Sequence, residues 1–414
     1  MASTTRPRLQ HRSEWRPRTW ALGALLVVLL IVAILWRAAT ESTPPLIVHR
    51  TLPTYVRLPG SAPAIAWPRE GEAAVEVEGV GSFGTSGAAT PVPIASVAKV
   101  MTAYLTLIEH PLAPGQDGFV VKITPAEVAE EGERAALGES TLSVKAGERL
   151  TERQALEALL LPSANNIAVL LARYDAGGTA AFVARMNATA KALGMRSTTY
   201  TDPSGFEDGT VSTAADQLKL ARAAMRVPTF AAIVAEPAVA LPGVGRVANY
   251  NGLVGTDGYV GVKTGSDHAA GGCLVFAKRV ALGGRRLTVL GVVLGQRQGA
   301  LIESALASAE RLGGSAAASL RLETALPAGT RVLSASSADG RGTTAVTAGA
   351  LRELGWGDLE LPVQVLVRPA MTRLHAGEAM ATVAVQGGSA GAISVVSARA
   401  VGGPSLGWRL RHLF

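Results

Sequence analysis

The chain has a single cysteine, Cys273, among 414 residues. An intramolecular disulfide is therefore excluded, and the fold must hold by its core. Cys273 lies in the apolar run Cys273-Leu274-Val275-Phe276 and reads as a small buried residue, not a reactive thiol. Histidine is also scarce. The six histidines are scattered and none has metal-ligand spacing, so no metal and no other cofactor is expected. Charged residues make up only 17% of the chain against 48% hydrophobic, a balance that excludes general disorder. The formal charge of +7 does not imply a nucleic-acid partner. Residues 1–60 hold eight arginines and two acids, which leaves 31 basic and 30 acidic residues in the rest. A nearly neutral body has no electrostatic footprint for a phosphate backbone.

The run Trp20 to Trp36 carries no charge. Its 17 residues would span roughly 26 Å as a helix, close to the ~30 Å hydrocarbon core of a bilayer. A tryptophan marks each end, as interfacial anchors do, and five arginines precede it. This predicts a single-pass membrane helix over 20–36, with residues 1–19 as an arginine-rich cytoplasmic tail and the rest of the chain outside. A cleaved signal peptide is the competing reading, but no clear small-x-small site follows the run. Residues 37–62, with Pro44, Pro45, Pro53 and Pro59, read as an extended spacer.

The length suits two or three domains. Ala73–Glu78 alternates weakly, as a strand does. Ala95–Glu109 reads as a helix apolar nearly all round and so buried. Thr151 with Gln154 forms a capping box for a helix ending at Pro162, and Ser163 starts another. Val211–Met225 is a further helix, capped by Ser212 or Thr213. Tyr259–Lys263, Gly272–Val280 and Leu287–Gly295 read as strands, with a turn at Gly283-Gly284. Ala300–Leu312 reads as a helix stopped by Gly313-Gly314. The pattern predicts an α+β domain with one antiparallel sheet over 63–313. A small all-β domain is expected over 314–402, then a basic, aromatic tail over 403–414 that either touches a membrane surface or frays. There is no internal repeat.

Of the seven lysines, only Lys99 has a serine three residues before it, in Ser96-Val97-Ala98-Lys99. At average usage a chain this long holds about two such patterns by chance, so placement carries the weight. The pattern opens the buried helix, and the i, i+3 spacing puts hydroxyl and amine on one face. A desolvated lysine loses basicity, and a neutral amine can take a serine proton. Two further elements are unique in the chain: Ser163-Ala164-Asn165 between two helices, and Lys263-Thr264-Gly265 at a strand end. A second hydroxyl can relay a proton, and an amide can hold a peptide group. A strand bearing a cation and a hydroxyl suits an extended peptide that ends in a carboxylate.

In this order, these elements resemble the serine D-alanyl-D-alanine carboxypeptidases, the low-mass penicillin-binding proteins. The likeness continues through Pro93–Tyr104, Leu142–Thr151, Ser163–Ala172, Phe182–Asn187, Asp202-Pro203-Ser204-Gly205, Tyr250-Asn251-Gly252-Leu253, Gly261–Gly265 and Ala270–Val275. It covers about residues 63–313. The resemblance implies a β-lactamase/transpeptidase-like fold and removal of the terminal D-alanine from peptidoglycan stem peptides, with β-lactam antibiotics as inhibitors. It further implies Ser96 as acylated nucleophile, Lys99 as its base, Ser163 as proton relay and Asn165 as a substrate clamp. Lys263, Thr264 and Gly265 would bind the terminal carboxylate end, and the backbone N–H groups of Ser96 and Ser266 would form the oxyanion hole. One departure is Ser266-Asp267-His268, where the family usually places a further hydroxyl two positions after the glycine. An acid there would weaken binding of an anion.

Alternatives sharing the acylation machinery are a β-lactamase, an endopeptidase or a transpeptidase. The β-lactamase reading lacks a glutamate between Asn165 and Glu207 to activate a deacylating water. A non-catalytic muropeptide receptor conflicts with the intact serines and lysines. Gly79-Val80-Gly81-Ser82-Phe83-Gly84 mimics a dinucleotide fingerprint, but no helix follows directly and no acid lies about twenty residues on. Gly387-Gly388-Ser389-Ala390-Gly391 mimics a nucleophile elbow in a loop that lacks the partner acid.

Overall fold

The computed structural model describes residues 17–413. The expected cytoplasmic tail therefore lies almost wholly outside the described residues, as does Phe414. Helix α1 (Pro17–Thr40) begins before and ends after the apolar run. Its stretch Trp20–Thr40 is 21 residues long, apolar and almost entirely exposed, long enough to cross a membrane.

The larger unit is built on one antiparallel sheet. Its strands are β1 (Glu72–Val77), β2 (Gly81–Ser86), β3 (Tyr259–Asp267), β4 (Gly271–Leu282) and β5 (Arg285–Gln296). The spatial order is β3-β4-β5-β1-β2, so β3 is an edge strand. Both faces are covered, which is why the strands read as apolar runs instead of clean alternation. Val275 and Ala277 of β4 enter a core with the helices, while Leu274 and Phe276 enter a second core on the other face. Cys273 is fully buried on the helical side, and burial pushes its thiol up to about 12, as expected for a packing residue.

Helices α2 (Lys99–Glu109), α3 (Pro125–Ala136), α4 (Glu152–Leu160), α5 (Asn165–Ala176), α6 (Thr179–Ala192), α7 (Ala214–Met225) and α8 (Pro228–Val234) lie between β2 and β3 in the chain. The Thr151/Gln154 capping box is present at the start of α4, and Thr213 caps α7. Helix α2 is buried as far as Leu107, and Ile108 near its end is 47% exposed. Helix α9 (Leu301–Ser319) covers the opposite face of the sheet. It does not stop at Gly313-Gly314. A Cβ on Gly313 would lie 2.6 Å from the Tyr259 hydroxyl and 2.9 Å from the Phe276 ring. The glycine lets the helix lie close on the sheet, and tertiary packing outweighs its poor helix propensity.

Residues 37–62 differ from the expected spacer. Ile47–Arg50 pairs with Arg331–Ser336, and Tyr55–Arg57 pairs with Glu360–Val367. They form the two edges of a seven-stranded antiparallel sheet whose five inner strands come from residues 331–397. Leu46, Leu52 and Leu58 enter its core. The prolines sit beside or outside these short strands, where an edge tolerates them. The tail forms α10 (Leu406–Arg411) against the end of α1. The Arg409 guanidinium donates to the Ala38 and Ala39 carbonyls and to Thr43 Oγ1.

A chain beginning at residue 61 would lose both edge strands and expose two unpaired edges. Such a chain is expected to melt several degrees below one beginning at residue 42, and to self-associate. Calorimetry and light scattering on the two soluble forms check this. Equal melting and monomeric behaviour would show the edge strands to be dispensable.

Candidate active site

Ser96 sits in a 3₁₀ turn, Ala95–Ala98, that leads directly into α2. Ala95 before it has φ of +45°, a left-handed conformation that costs a non-glycine residue about 1–3 kcal/mol and marks functional turns. The Lys99 amine donates to Ser96 Oγ at 2.8 Å and to the Ser204 carbonyl at 2.8 Å. Lys99 is completely buried. Burial, reinforced by the nearby charge of Lys263, drives its amine well below the ordinary lysine value, against the opposing pull of Asp202 and Glu139. The hydroxyl and the amine therefore stand in proton-transfer contact, with the amine biased to its neutral form.

The Ser204 carbonyl is held by a loop wound on Asp202. One Asp202 oxygen accepts from the Ser204 N–H, the Ser204 hydroxyl and the Phe206 N–H, and the other accepts from Thr210 Oγ1. The same loop accepts from α2 again, through Thr102 Oγ1 to the Pro203 carbonyl at 2.6 Å.

Strand β3 closes one side. Its Gly265 packs against the Ser96 turn so tightly that a Cβ would lie 2.9–3.0 Å from Val97 N, Ile94 O and Ser96 N. Only glycine permits this approach. Lys263 is buried, its amine donates to the Thr264 carbonyl, and burial lowers its pKa to about 7. Thr264 is buried beside it, and Ser266 is exposed. The anomalous Asp267 accepts the Ala270 N–H at 2.6 Å, so its carboxylate caps the β3–β4 turn. The carbonyls of His268 and Ala269 in that turn accept from Arg297.

Ser163 lies between α4 and α5 with φ of +69°. Its hydroxyl is buried and has no hydrogen-bond partner, and neither has Asn165 Oδ1. Asn165 Nδ2 donates to Glu139 Oε2 at 2.7 Å. The chain thus gathers Ser96, Lys99, Lys263, Thr264 and Gly265 around one turn. Asn165, at the start of α5, is linked to this group through the Glu139 carboxylate, which is bonded to Asn165 and acts on Lys99, and Ser163 lies two residues before it. The sequence reading missed Glu139, Asp202 as the loop's organiser, and Arg297. The first had no motif to mark it. Asp202 stood inside a recognised stretch without a role. Among the described residues there is no cluster of three or more His, Cys, Asp or Glu able to hold a metal.

The sequence profile of the D-alanyl-D-alanine carboxypeptidase family, peptidase S11, matches residues 85–298. Among curated proteins the chain is similar to a D-alanyl-D-alanine carboxypeptidase of Mycobacterium tuberculosis, 39% identical over 204 residues, 48% of this chain and 65% of that protein. It is also similar to a D-alanyl-D-alanine endopeptidase of Pseudomonas aeruginosa, 33% identical over 48% of this chain and 63% of the relative. The chain thus spans somewhat under two thirds of the length of these two relatives. A D-alanyl-D-alanine carboxypeptidase of Streptomyces sp. strain K15 is 33% identical, with 51% of this chain and 75% of that protein covered. The crystal structure of the Streptomyces K15 DD-transpeptidase superposes with a TM-score of 0.53 at 28% identity, covering 62% of this chain and 98% of that one. The carboxypeptidase DacD of Francisella tularensis shares the fold over 83% of this chain and 96% of its own, with a TM-score of 0.58 at 21% identity. With the profile spanning just over half of its residues, the chain belongs to the D-alanyl-D-alanine carboxypeptidase family of serine peptidases.

Proposed function

We propose that the protein is a serine-type D-alanyl-D-alanine carboxypeptidase that trims the terminal D-alanine from peptidoglycan stem peptides and is acylated by β-lactams. The observation that carries this reading is the 2.8 Å contact between Ser96 Oγ and a fully buried Lys99 amine, packed against the Lys263-Thr264-Gly265 strand. Neutral Lys99 takes the Ser96 proton as Oγ attacks the carbonyl carbon of the penultimate D-alanine. The oxyanion forms against the backbone N–H groups of Ser96 and Ser266, a device worth about 10²–10³ in rate per donor. Ser163, whose hydroxyl has no competing partner, passes a proton to the departing amine, and free D-alanine leaves. Water then cleaves the Ser96 ester. Asn165 holds the substrate's peptide group, while Lys263 and Thr264 bind its carboxylate. As an edge strand, β3 offers main-chain groups to an extended peptide.

The unit from about residue 63 to the end of α9 at Ser319 carries this chemistry, with the β-rich residues up to 402 and the two strands between 47 and 57 as its companion and the residues from 403 as a tail against the end of α1. Helix α1 anchors the protein with its N-terminus in the cytoplasm and the catalytic unit outside. An endopeptidase uses the same acyl-enzyme, and two of the relatives carry that name. Cross-linked muropeptides distinguish the two activities.

Ser96→Ala is expected to abolish both labelling by fluorescent penicillin and D-alanine release from a pentapeptide. Labelling of Ser96→Ala at the wild-type level would remove every acylating reading. A second expectation concerns pH. Lys99 must be neutral to accept a proton, so acylation slows as pH falls through its lowered pKa. Lys263 must be charged to attract a carboxylate and titrates near 7 in the free protein, so kcat/KM falls as pH rises above that value. Lys263→Arg, which stays cationic, is expected to flatten the alkaline limb and leave the acid limb in place. Measured pH profiles of kcat/KM for the two forms decide this, and an unchanged alkaline limb would remove Lys263 from carboxylate binding.

A further inference from the structure

Glu139 is a buried carboxylate beside the Ser163-Ala164-Asn165 segment, outside every motif in the sequence. Its side chain is 2% exposed. Asn165 Nδ2 donates to Glu139 Oε2 at 2.7 Å, and the Arg134 guanidinium donates to both Glu139 oxygens at 3.1 and 3.2 Å. Arg134 also donates to Glu130 Oε1 at 2.9 Å, and Arg173 of α5 donates to Glu130 Oε2 at 2.6 Å. The circuit starts at Asn165 and returns to Arg173 on the same helix. The backbone repeats the connection: Asn165 N donates to the Ser140 carbonyl at 2.7 Å, and Asn166 exchanges two hydrogen bonds with Leu142.

A carboxylate accepts and cannot donate, so it fixes which end of an amide faces it. With Nδ2 held by Glu139, Asn165 Oδ1 is left as a buried acceptor without a partner. We propose that Glu139 is a positioning residue that locks the Asn165 amide in one orientation, so that the segment always presents Oδ1 and the second Nδ2 hydrogen to the substrate. This rests on the substrate-binding role given to Asn165 above. A charged acceptor at 2.7 Å makes the lock stronger than a neutral one would be. The same commitment to Arg134 and Asn165 leaves Glu139 unsuited to activating a deacylating water.

The test uses the full chain in detergent, with Glu139→Gln, Asn165→Ala and the double substitution, each checked for a native melting profile. The rate of acylation by fluorescent penicillin is expected to fall about tenfold or more in Glu139→Gln, the scale of a lost charge-assisted bond. In the Asn165→Ala background the same substitution is expected to change the rate less than about twofold, since the two act through one contact. An undiminished loss in that background overturns the proposal. So does a Glu139→Gln effect confined to a longer-lived penicillin adduct, which would make Glu139 a base. A readout independent of activity is the side-chain amide pair of Asn165 in protein labelled with ¹⁵N-asparagine, assigned by its absence in Asn165→Ala. Slow exchange of one proton in the wild type, lost in Glu139→Gln, supports the lock. Identical pairs in both overturn it even if neither protein acylates, whereas absent acylation with a locked amide counts against the enzymatic reading alone.

Discussion

An amine has been taken completely out of water at the mouth of a helix, and the rest of the site is arranged around it. A buried ammonium without a counter-ion costs several kcal/mol, and the cheaper state is the neutral base. Lys99 makes two hydrogen bonds, to Ser96 Oγ and the Ser204 carbonyl, and neither partner is a carboxylate that would hold it charged. Asp202 is close enough to act on Lys99, yet its oxygens are occupied by four donors from its own loop. The acid therefore shapes the loop that receives the amine without pairing with it. The polar residues of α2 form a seam along an otherwise apolar helix. Ser96 and Lys99 are followed at helical spacing by Thr102, bonded to Pro203, and Thr106, bonded to Asp175. Lys99, Thr102 and Thr106 each have a partner on a neighbouring segment, so α2 cannot rotate without breaking several bonds at once.

The sheet supplies the second constraint. Because β3 is the edge nearest the serine turn and carries glycine at 265, two backbones meet where side chains would otherwise intervene. The strand also brings the Lys263 charge close enough to lower the basicity of Lys99 further, while Lys263 itself is lowered by burial alone. Burial of β4 and β5 on both faces and the close seat of α9 on Tyr259 and Phe276 keep that edge rigid. A site that must hold a reacting carbonyl to within a fraction of an ångström needs such support.

Much of this was legible in the sequence because the signals were local. The helix start at Thr151 and its Gln154 box, the strands around Cys273 and the three short motifs all depend on residues a few positions apart. What was not legible depended on distant partners. The two strands between residues 47 and 57 pair with residues more than 270 positions away, and no local pattern announces an edge strand that lies between prolines. Gly313-Gly314 reads as a stop until Tyr259 and Phe276 are seen beneath it. Asp267 suggests a hostile charge in the carboxylate pocket until it is seen to cap its own turn. Glu139 reads as one acid among many near α3, and only the fold turns it toward Asn165.

The Ser163 segment shows what the site gives up to exist. Ser163 is left-handed, and its hydroxyl is buried without a partner, as is Asn165 Oδ1. An unpaired buried polar atom costs about 1–3 kcal/mol, and a strained residue adds a similar amount. These costs sit two residues apart, on a segment fastened by Glu139, Ser140 and Leu142. A free chain would relax the one at Asn165 by flipping the amide, and the bond to the Glu139 carboxylate opposes that. A ligand that supplies a donor to Oδ1 and a partner to the Ser163 hydroxyl recovers hydrogen bonds the protein alone cannot make.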